Sequence, residues 1–121
     1  MNAEFFLPWP DKKLSPNARV HWRTLARAKK QTKEFSYYRA MEAGLRKIAA
    51  DTVAARYTFY PPSRRRFDLD NLIGRMKAGQ DGIAMAIGVD DSKWTTTYKL
   101  AGPIEKAGMV KVELEWNEEA A

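Results

Sequence analysis

The chain reads as an α/β (α+β) fold, a small mixed β-sheet of about four strands with two main helices packed on it. Three observations lead there. Val110, Val112, Leu114 and Trp116 alternate with Lys111, Glu113 and Glu115, which is the two-residue period of a half-buried strand. Two longer segments, 24–50 and 70–87, repeat apolar residues every three or four positions, the period of an amphipathic helix. Strand-like and helix-like segments follow one another in the order β, α, β, α, β, β, which suits a mixed sheet with helices laid on it.

Taken in order, residues 4–7 form a short strand ended by the rigid Leu7-Pro8-Trp9-Pro10 segment. Residues 11–22 read as a loop holding Pro16, Asn17, His21 and Trp22. The first helix spans 24–50, with Phe35, Tyr38, Met41, Leu45 and Ile48 as an apolar stripe for the core or an interface. Its early turns carry Arg27, Lys29, Lys30 and Lys33. Val53, Ala55, Tyr57 and Phe59 alternate with Ala54, Arg56, Thr58 and Tyr60 as the next strand, closed by Pro61-Pro62. The second helix runs from Asp70 to Ile87, and Gly88 terminates it. Trp94–Leu100 is a strand rich in Thr and Tyr, broken at Gly102-Pro103. The final strand follows closely enough for a hairpin. The acidic tail Glu118-Glu119-Ala120-Ala121 is expected to fray. No repeat, low-complexity tract or linker divides the chain, so residues 1–121 are expected to be one domain.

Composition narrows the functions available. The chain has no Cys, which excludes disulfides, thiol catalysis and cysteine-held metal. No apolar run approaches the roughly 20 residues of a membrane span. The N-terminus lacks the basic and long apolar regions of a signal peptide, so a soluble, cytoplasmic protein with no membrane partner is expected. The 21 basic and 15 acidic side chains leave a net charge of +6. Residues 1–66 carry 15 basic and 5 acidic groups, and residues 67–121 carry 6 and 10. A polyanion gripped by the first part could be processed beside the second.

The sign changes at Arg64-Arg65-Arg66-Phe67-Asp68-Leu69-Asp70-Asn71, which Asp90-Asp91 answers some twenty positions later. Cations followed by closely spaced carboxylates suit a phosphodiester, with the cations on its backbone and the acids on a divalent metal. At about 100° per residue, Asp70, Gly74, Lys77 and Asp81 fall on one stripe of the second helix. Leu69, Leu72, Ile73, Met76, Ile83 and Ile87 fall opposite. Gly74, weak in a helix, would let a ligand approach the backbone. Plainer readings stand beside these. Lys77 and Asp81 make an ordinary surface pair at i,i+4, and Asp68 and Asp70 suit a helix start. Asp90 and Asp91 gain nothing from the helix end before them, so a cation bridging Asp91 to Asp68 and Asp70 would account for them. All-oxygen ligands point to Mg²⁺, with Mn²⁺ as the alternative. An EF-hand is rejected, because Leu72 and Gly79 stand where its fifth and twelfth loop positions would be.

These residues resemble the RusA-type Holliday junction resolvases, small endonucleases common in phages and prophages. The resemblance is carried by Arg66-Phe67-Asp68-Leu69-Asp70-Asn71-Leu72, Lys77-Ala78-Gly79-Gln80-Asp81-Gly82-Ile83 and Gly88-Val89-Asp90-Asp91-Ser92, with Pro16-Asn17 and His21-Trp22 upstream. It covers most of the chain. It implies a homodimer of mixed α/β subunits that nicks four-way DNA junctions symmetrically with Mg²⁺. Asp68, Asp70 and Asp91 would be the metal-binding acids and Lys77 the essential cation. The best-known form of the family places its lysine one helical turn nearer the paired aspartates.

The resulting expectation is a phosphodiester hydrolase leaving 5′-phosphate and 3′-hydroxyl ends. Lys77 would stabilise charge on the phosphoryl oxygens. Arg64, Arg65, Arg66, Lys29, Lys30 and Lys33 would hold the backbone. Asp81, Asp90 and Asn71 would be auxiliary. His21 reads as a hydrogen-bonded loop residue beside Trp22 rather than a general base. Most aromatics read as core, with Trp9, Trp22 and Trp94 as candidates for base stacking. The rivals are a non-catalytic DNA-binding module and a metal nuclease acting on flaps, RNA or other branched substrates. A Ser-His-Asp hydrolase has one His and no nucleophile elbow to support it, and a P-loop ATPase lacks its signature.

Overall fold

A computed structural model describes residues 1–102 and 107–118. The strands are β1 (Asn2–Pro8), β2 (Val53–Tyr60), β3 (Trp94–Leu100) and β4 (Met109–Glu115). The helices are α1 (Trp22–Glu42), α2 (Leu69–Arg75) and α3 (Lys77–Ile87), with short 3-10 turns at Lys12–Leu14 and Asp91–Lys93. The fold is α+β, as expected. Two expectations, the break at Pro103 and the fraying of Glu119-Ala120-Ala121, lie outside the described residues.

The sheet order is β1-β4-β2-β3. β4 is antiparallel to both β1 and β2, while β3 lies parallel to β2 at the edge. The last two strands therefore do not form a hairpin. The helices between β2 and β3 carry the chain back across the sheet, which makes that pair parallel. β4 takes the centre, where Val110, Val112 and Leu114 are buried beside Phe5, Leu7, Tyr57 and Phe59. All of them point to the face that carries the helices. Glu4, Arg56 and Glu113 share a row on the other face, which no helix covers among the described residues.

The first helix is shorter than its periodicity suggests. It ends at Glu42, and Gly44 takes a φ of 95°. Leu45 N–H donates to Ala40 O and Gly44 N–H to Met41 O, so the paired bonds of a Schellman cap stop the helix. Leu45 is buried and Ile48 half-buried beyond that cap, so neither belongs to a helical stripe. Phe35 and Tyr38 are 51% and 67% exposed, which removes them from the core. The face turned inward carries Ser36 and Ala40 instead.

That choice follows from close helix packing. A Cβ on Gly82 of α3 would lie 2.2 Å from Lys33 O of α1, so only glycine permits this approach. Ser36 Oγ donates to Gly79 O at 2.6 Å across the same contact. The expected single helix 70–87 is two helices, interrupted at Met76, whose N–H bonds Ile73 O three residues back. Met76 is buried and α3 restarts directly after it, with Ile83 and Ile87 on the sheet. Each of those isoleucines contributes roughly 1.5–3 kcal/mol by burial. Gly88, at φ 73°, ends α3 as its sequence position suggests.

Candidate functional site

Lys77, in the first turn of α3, lies at the centre of the polar cluster. Its ammonium donates to Asp81 Oδ1 at 3.0 Å and makes a second, shorter ion pair with Asp91 Oδ2. Asp91 opens the 3-10 turn before β3, so the turn after Gly88 brings it back over the helix start. Gln80 Nε2 donates to the same Asp91 oxygen at 3.2 Å. The Gln80 carbonyl in turn accepts from the Tyr57 hydroxyl at 2.9 Å. Tyr57 is fully buried on β2, with its ring 5.6 Å from that of Tyr98 on β3. A chain of hydrogen bonds thus runs from the sheet to an acid at the surface.

The electrostatics follow the contacts. The Lys77 ammonium, helped by the Gln80 amide, holds the Asp91 carboxyl below its ordinary value. Hydrogen bonds to Asp91 and Asp81 hold Lys77 above its own. Burial pushes the Tyr57 hydroxyl well up, and Tyr98 and the two acids add to it. Lys77 is 62% exposed, so solvent screens its pairs and their net stabilisation is small.

The remaining sequence candidates fall in several places. Asp68 caps α2, its Oδ1 accepting from Asp70 N–H at 2.9 Å, and Asp70 stands exposed in the first turn. Among the described residues, no group of three or more Asp, Glu or His side chains is gathered to hold a metal ion. Asp91 is engaged with Lys77, and Asp68 with the helix it caps. The donor chemistry of Asp68, Asp70 and Asp91 fits a hard divalent cation, because all three offer carboxylate oxygens. Lys77 and Gln80 both engage Asp91 through Oδ2.

Asp90 has a structural role. It caps the 3-10 turn, its Oδ2 accepting from Ser92 N–H at 3.1 Å. The acid pair after Gly88 thus makes a cap and an ion pair. Asn71 Oδ1 accepts from Ser15 Oγ at 2.9 Å and from Arg75 Nε at 3.1 Å, anchoring the 11–16 loop to α2. Gly74 does not admit a ligand. The Pro16 ring covers it, and an added Cβ would meet Pro16 Cγ at 2.4 Å. His21 caps α1 through Nδ1, which accepts from Arg23 N–H, and it stacks on Trp22.

The cations form two surfaces joined at Arg75. An open cleft of about 680 Å³ has Lys29, Lys30 and Lys33 of α1 on one wall and Lys77 and Asp81 on the other. Arg75 lines this cleft and also the neighbouring depression that holds Arg65 and Phe67. Burial, and then the charge of Arg65, lowers the Arg75 pKa. Arg64, Arg65 and Arg66 are exposed, and the Arg65 guanidinium lies 5.1 Å from the Phe67 ring centroid. Sequence reasoning missed Gln80, Tyr57 and Arg75 as parts of the site. Gln80 stands inside the Lys77–Ile83 motif beside Asp81, but the partners of Tyr57 and Arg75 are set by tertiary contacts.

No family model matches the chain. It is 38% identical over 112 residues to an uncharacterized protein of Xylella fastidiosa (strain Temecula1), a match covering 89% of this chain and 72% of that protein.

Proposed function

The chain belongs to the same family as that uncharacterized Xylella fastidiosa protein, and from the side chains its fold gathers we propose a Mg²⁺-dependent endodeoxyribonuclease that resolves Holliday junctions by paired symmetric nicks. The observation that supports this most is the cleft. It has three α1 lysines on one wall and faces Lys77, which Asp81 and Asp91 hold in place. Cations spaced along such a wall suit the phosphates of a DNA strand and do not read its bases. The resemblance to RusA-type resolvases names the branched substrate, the homodimer and the bacterial or phage-infected cytoplasm.

In this reading Asp68, Asp70 and Asp91 would hold Mg²⁺ or Mn²⁺, which when bound would polarise the phosphate and acidify a water nucleophile. Lys29, Lys30 and Lys33 fix the strand, and Arg64, Arg65 and Arg66 extend that hold past Arg75. Lys77 offers its ammonium to the phosphoryl oxygens, where charge grows in the transition state. Gln80 orients the Asp91 carboxylate, and Tyr57 orients Gln80. Two nicks related by symmetry require two equivalent sites, which a two-fold homodimer supplies.

The test is a labelled synthetic four-way junction incubated with and without Mg²⁺, with the incisions mapped. Symmetric metal-dependent nicks are expected, and Asp70→Asn abolishes them while junction binding persists. Equal nicking by that variant removes the assignment. A second reading, a non-catalytic DNA-binding module, is favoured by the engagement of Asp91 with Lys77 in place of a three-acid group. Tight junction binding without incision under any divalent metal would decide for it.

A further inference from the structure

We propose that Trp22 is a stacking platform for an unpaired nucleobase of a strand whose phosphates lie along the lysines of α1. The inference rests on the nucleic-acid reading above and extends it from the backbone to the bases. Trp94 and Trp116 are buried, and Trp9 packs edge-on against Phe59 and Phe67. Trp22 differs from all three, with 67% of its surface exposed at the first position of α1. Core packing gives no account of it.

The ring is held by two neighbours and stays mostly exposed. His21 stacks against the indole with centroids 5.7 Å apart and planes 27° apart. The Arg23 guanidinium lies 5.1 Å from the indole centroid. His21 is itself fixed by accepting Arg23 N–H at 3.1 Å. The neighbours therefore restrict the rotamer and reduce the ordering cost of stacking.

Helix geometry aligns this ring with the cleft. Advancing about 100° per residue, Lys29 and Lys33 fall about 20° to either side of Trp22. At about 1.5 Å per residue they lie roughly 10 Å and 16 Å along the axis from it. Ring and ammoniums thus form a row on one face, and both lysines line the cleft opposite Lys77.

The charge around the row fits one class of occupant. From Lys12 to Lys33 there are eight cationic side chains and no carboxylate. Among the described residues, none of Arg23, Arg27, Lys29, Lys30 and Lys33 is paired with an acid. A polyanion that also carries flat aromatic units satisfies both the cations and the exposed indole, as in single-strand binding grooves. At a four-way junction the base pairs beside the crossover lack a continuous stack, so opening one of them would present such a base to the ring.

The experiment compares a fluorescent thymidine oligonucleotide with an abasic strand of equal length and charge, by anisotropy. A stacked base changes affinity by about 5- to 150-fold, so wild type is expected to bind the thymidine strand at least about fivefold tighter. Trp22→Ala should bind both strands alike, near the wild-type affinity for the abasic strand, and Trp22→Tyr should recover most of the difference. Because the side chain is exposed, both variants should melt with wild type. An unchanged thymidine-to-abasic ratio in Trp22→Ala overturns the stacking role while leaving the nuclease reading intact. A shift from dimer to monomer in that variant with the ratio preserved assigns Trp22 to a contact between copies, and likewise overturns it. Absence of metal-dependent junction incision by wild type, with the ratio behaving as expected, would instead count against the nuclease reading alone. Failure of wild type to bind either strand overturns the stacking proposal, and the nuclease reading stays with the junction-incision test.

Discussion

Tyr57 shows at the residue scale how a buried group can reach a half-buried acid through one intermediary. Its hydroxyl is the donor to Gln80, and Gln80 is a donor to Asp91. Tyr57→Phe leaves the Gln80 carbonyl without that partner and should cost about 1–2 kcal/mol in urea unfolding. The raised Tyr57 pKa also has a stability consequence. The folded state keeps the proton more tightly than the unfolded chain, so this contribution is complete below about pH 10 and falls as pH rises beyond it. Thermal melts of wild type should therefore drop through the alkaline range, and Tyr57→Phe should flatten that drop. Lys77 is the opposite case. Its pairs are screened, so Lys77→Met should change stability by less than about 1 kcal/mol. Junction nicking should nevertheless fall by about 100-fold or more if the ammonium meets the transition state. Equal small effects on both measurements would reduce Lys77 to a surface ion pair. Lys77 and Asp81 were legible as a pair from their i,i+4 spacing, whereas the structure joins Asp91 to them and leaves Asp68 and Asp70 at the start of α2. The hydroxyl behind Asp91 was not legible, because Tyr57 reads as one more alternating strand residue.

The decisive contacts between elements are made by glycines. Gly82 lets α3 approach the backbone of α1, and a methyl there would meet Lys33 O at 2.2 Å. Gly82→Ala should destabilise by about 1–3 kcal/mol, since backbone must move. Gly79→Ala is the control. Its added Cβ would make only ordinary contacts, the nearest with Ser36 Oγ at 3.7 Å, so helix propensity offsets most of any loss. Chemical denaturation of the two variants should separate them clearly, and similar values would mean that the helix contact relaxes freely. Periodicity located both helical regions and the apolar face and Gly88 end of the second, but it missed the break at Met76 and misjudged the end and inward face of the first. The apolar period continues through Leu45 and Ile48, yet the Schellman cap at Gly44 stops α1. Phe35 and Tyr38 read as part of a stripe for the core or an interface, but they are exposed, and close packing against Gly79 turns Ser36 inward.

Across the whole molecule, charge is divided by surface. The α1 lysines, Arg75, Arg65 and Arg66 line neighbouring depressions, while Arg56 shares the other sheet face with Glu113. Lys33→Glu should weaken DNA binding and flatten its salt dependence by about one unit of slope for each phosphate no longer neutralised. Arg56→Glu alters net charge equally and should leave that slope near wild type. Matching slopes in the two variants would mean that net charge, rather than the cleft, governs binding. Among the described residues no helix is long and apolar enough to cross a membrane.

The sequence by itself determined the fold class, the strand segments and the residue types gathered at the site. Those properties follow from local periodicity and covalent order, which need no distant partner. The position of β4 between β1 and β2, the parallel edge at β3 and the break at Met76 were decided by tertiary structure. So were the links from Tyr57 to Asp91 and from α1 to Lys77. Each depends on which surfaces bury one another, and many pairings satisfy the same local pattern until the whole chain has packed.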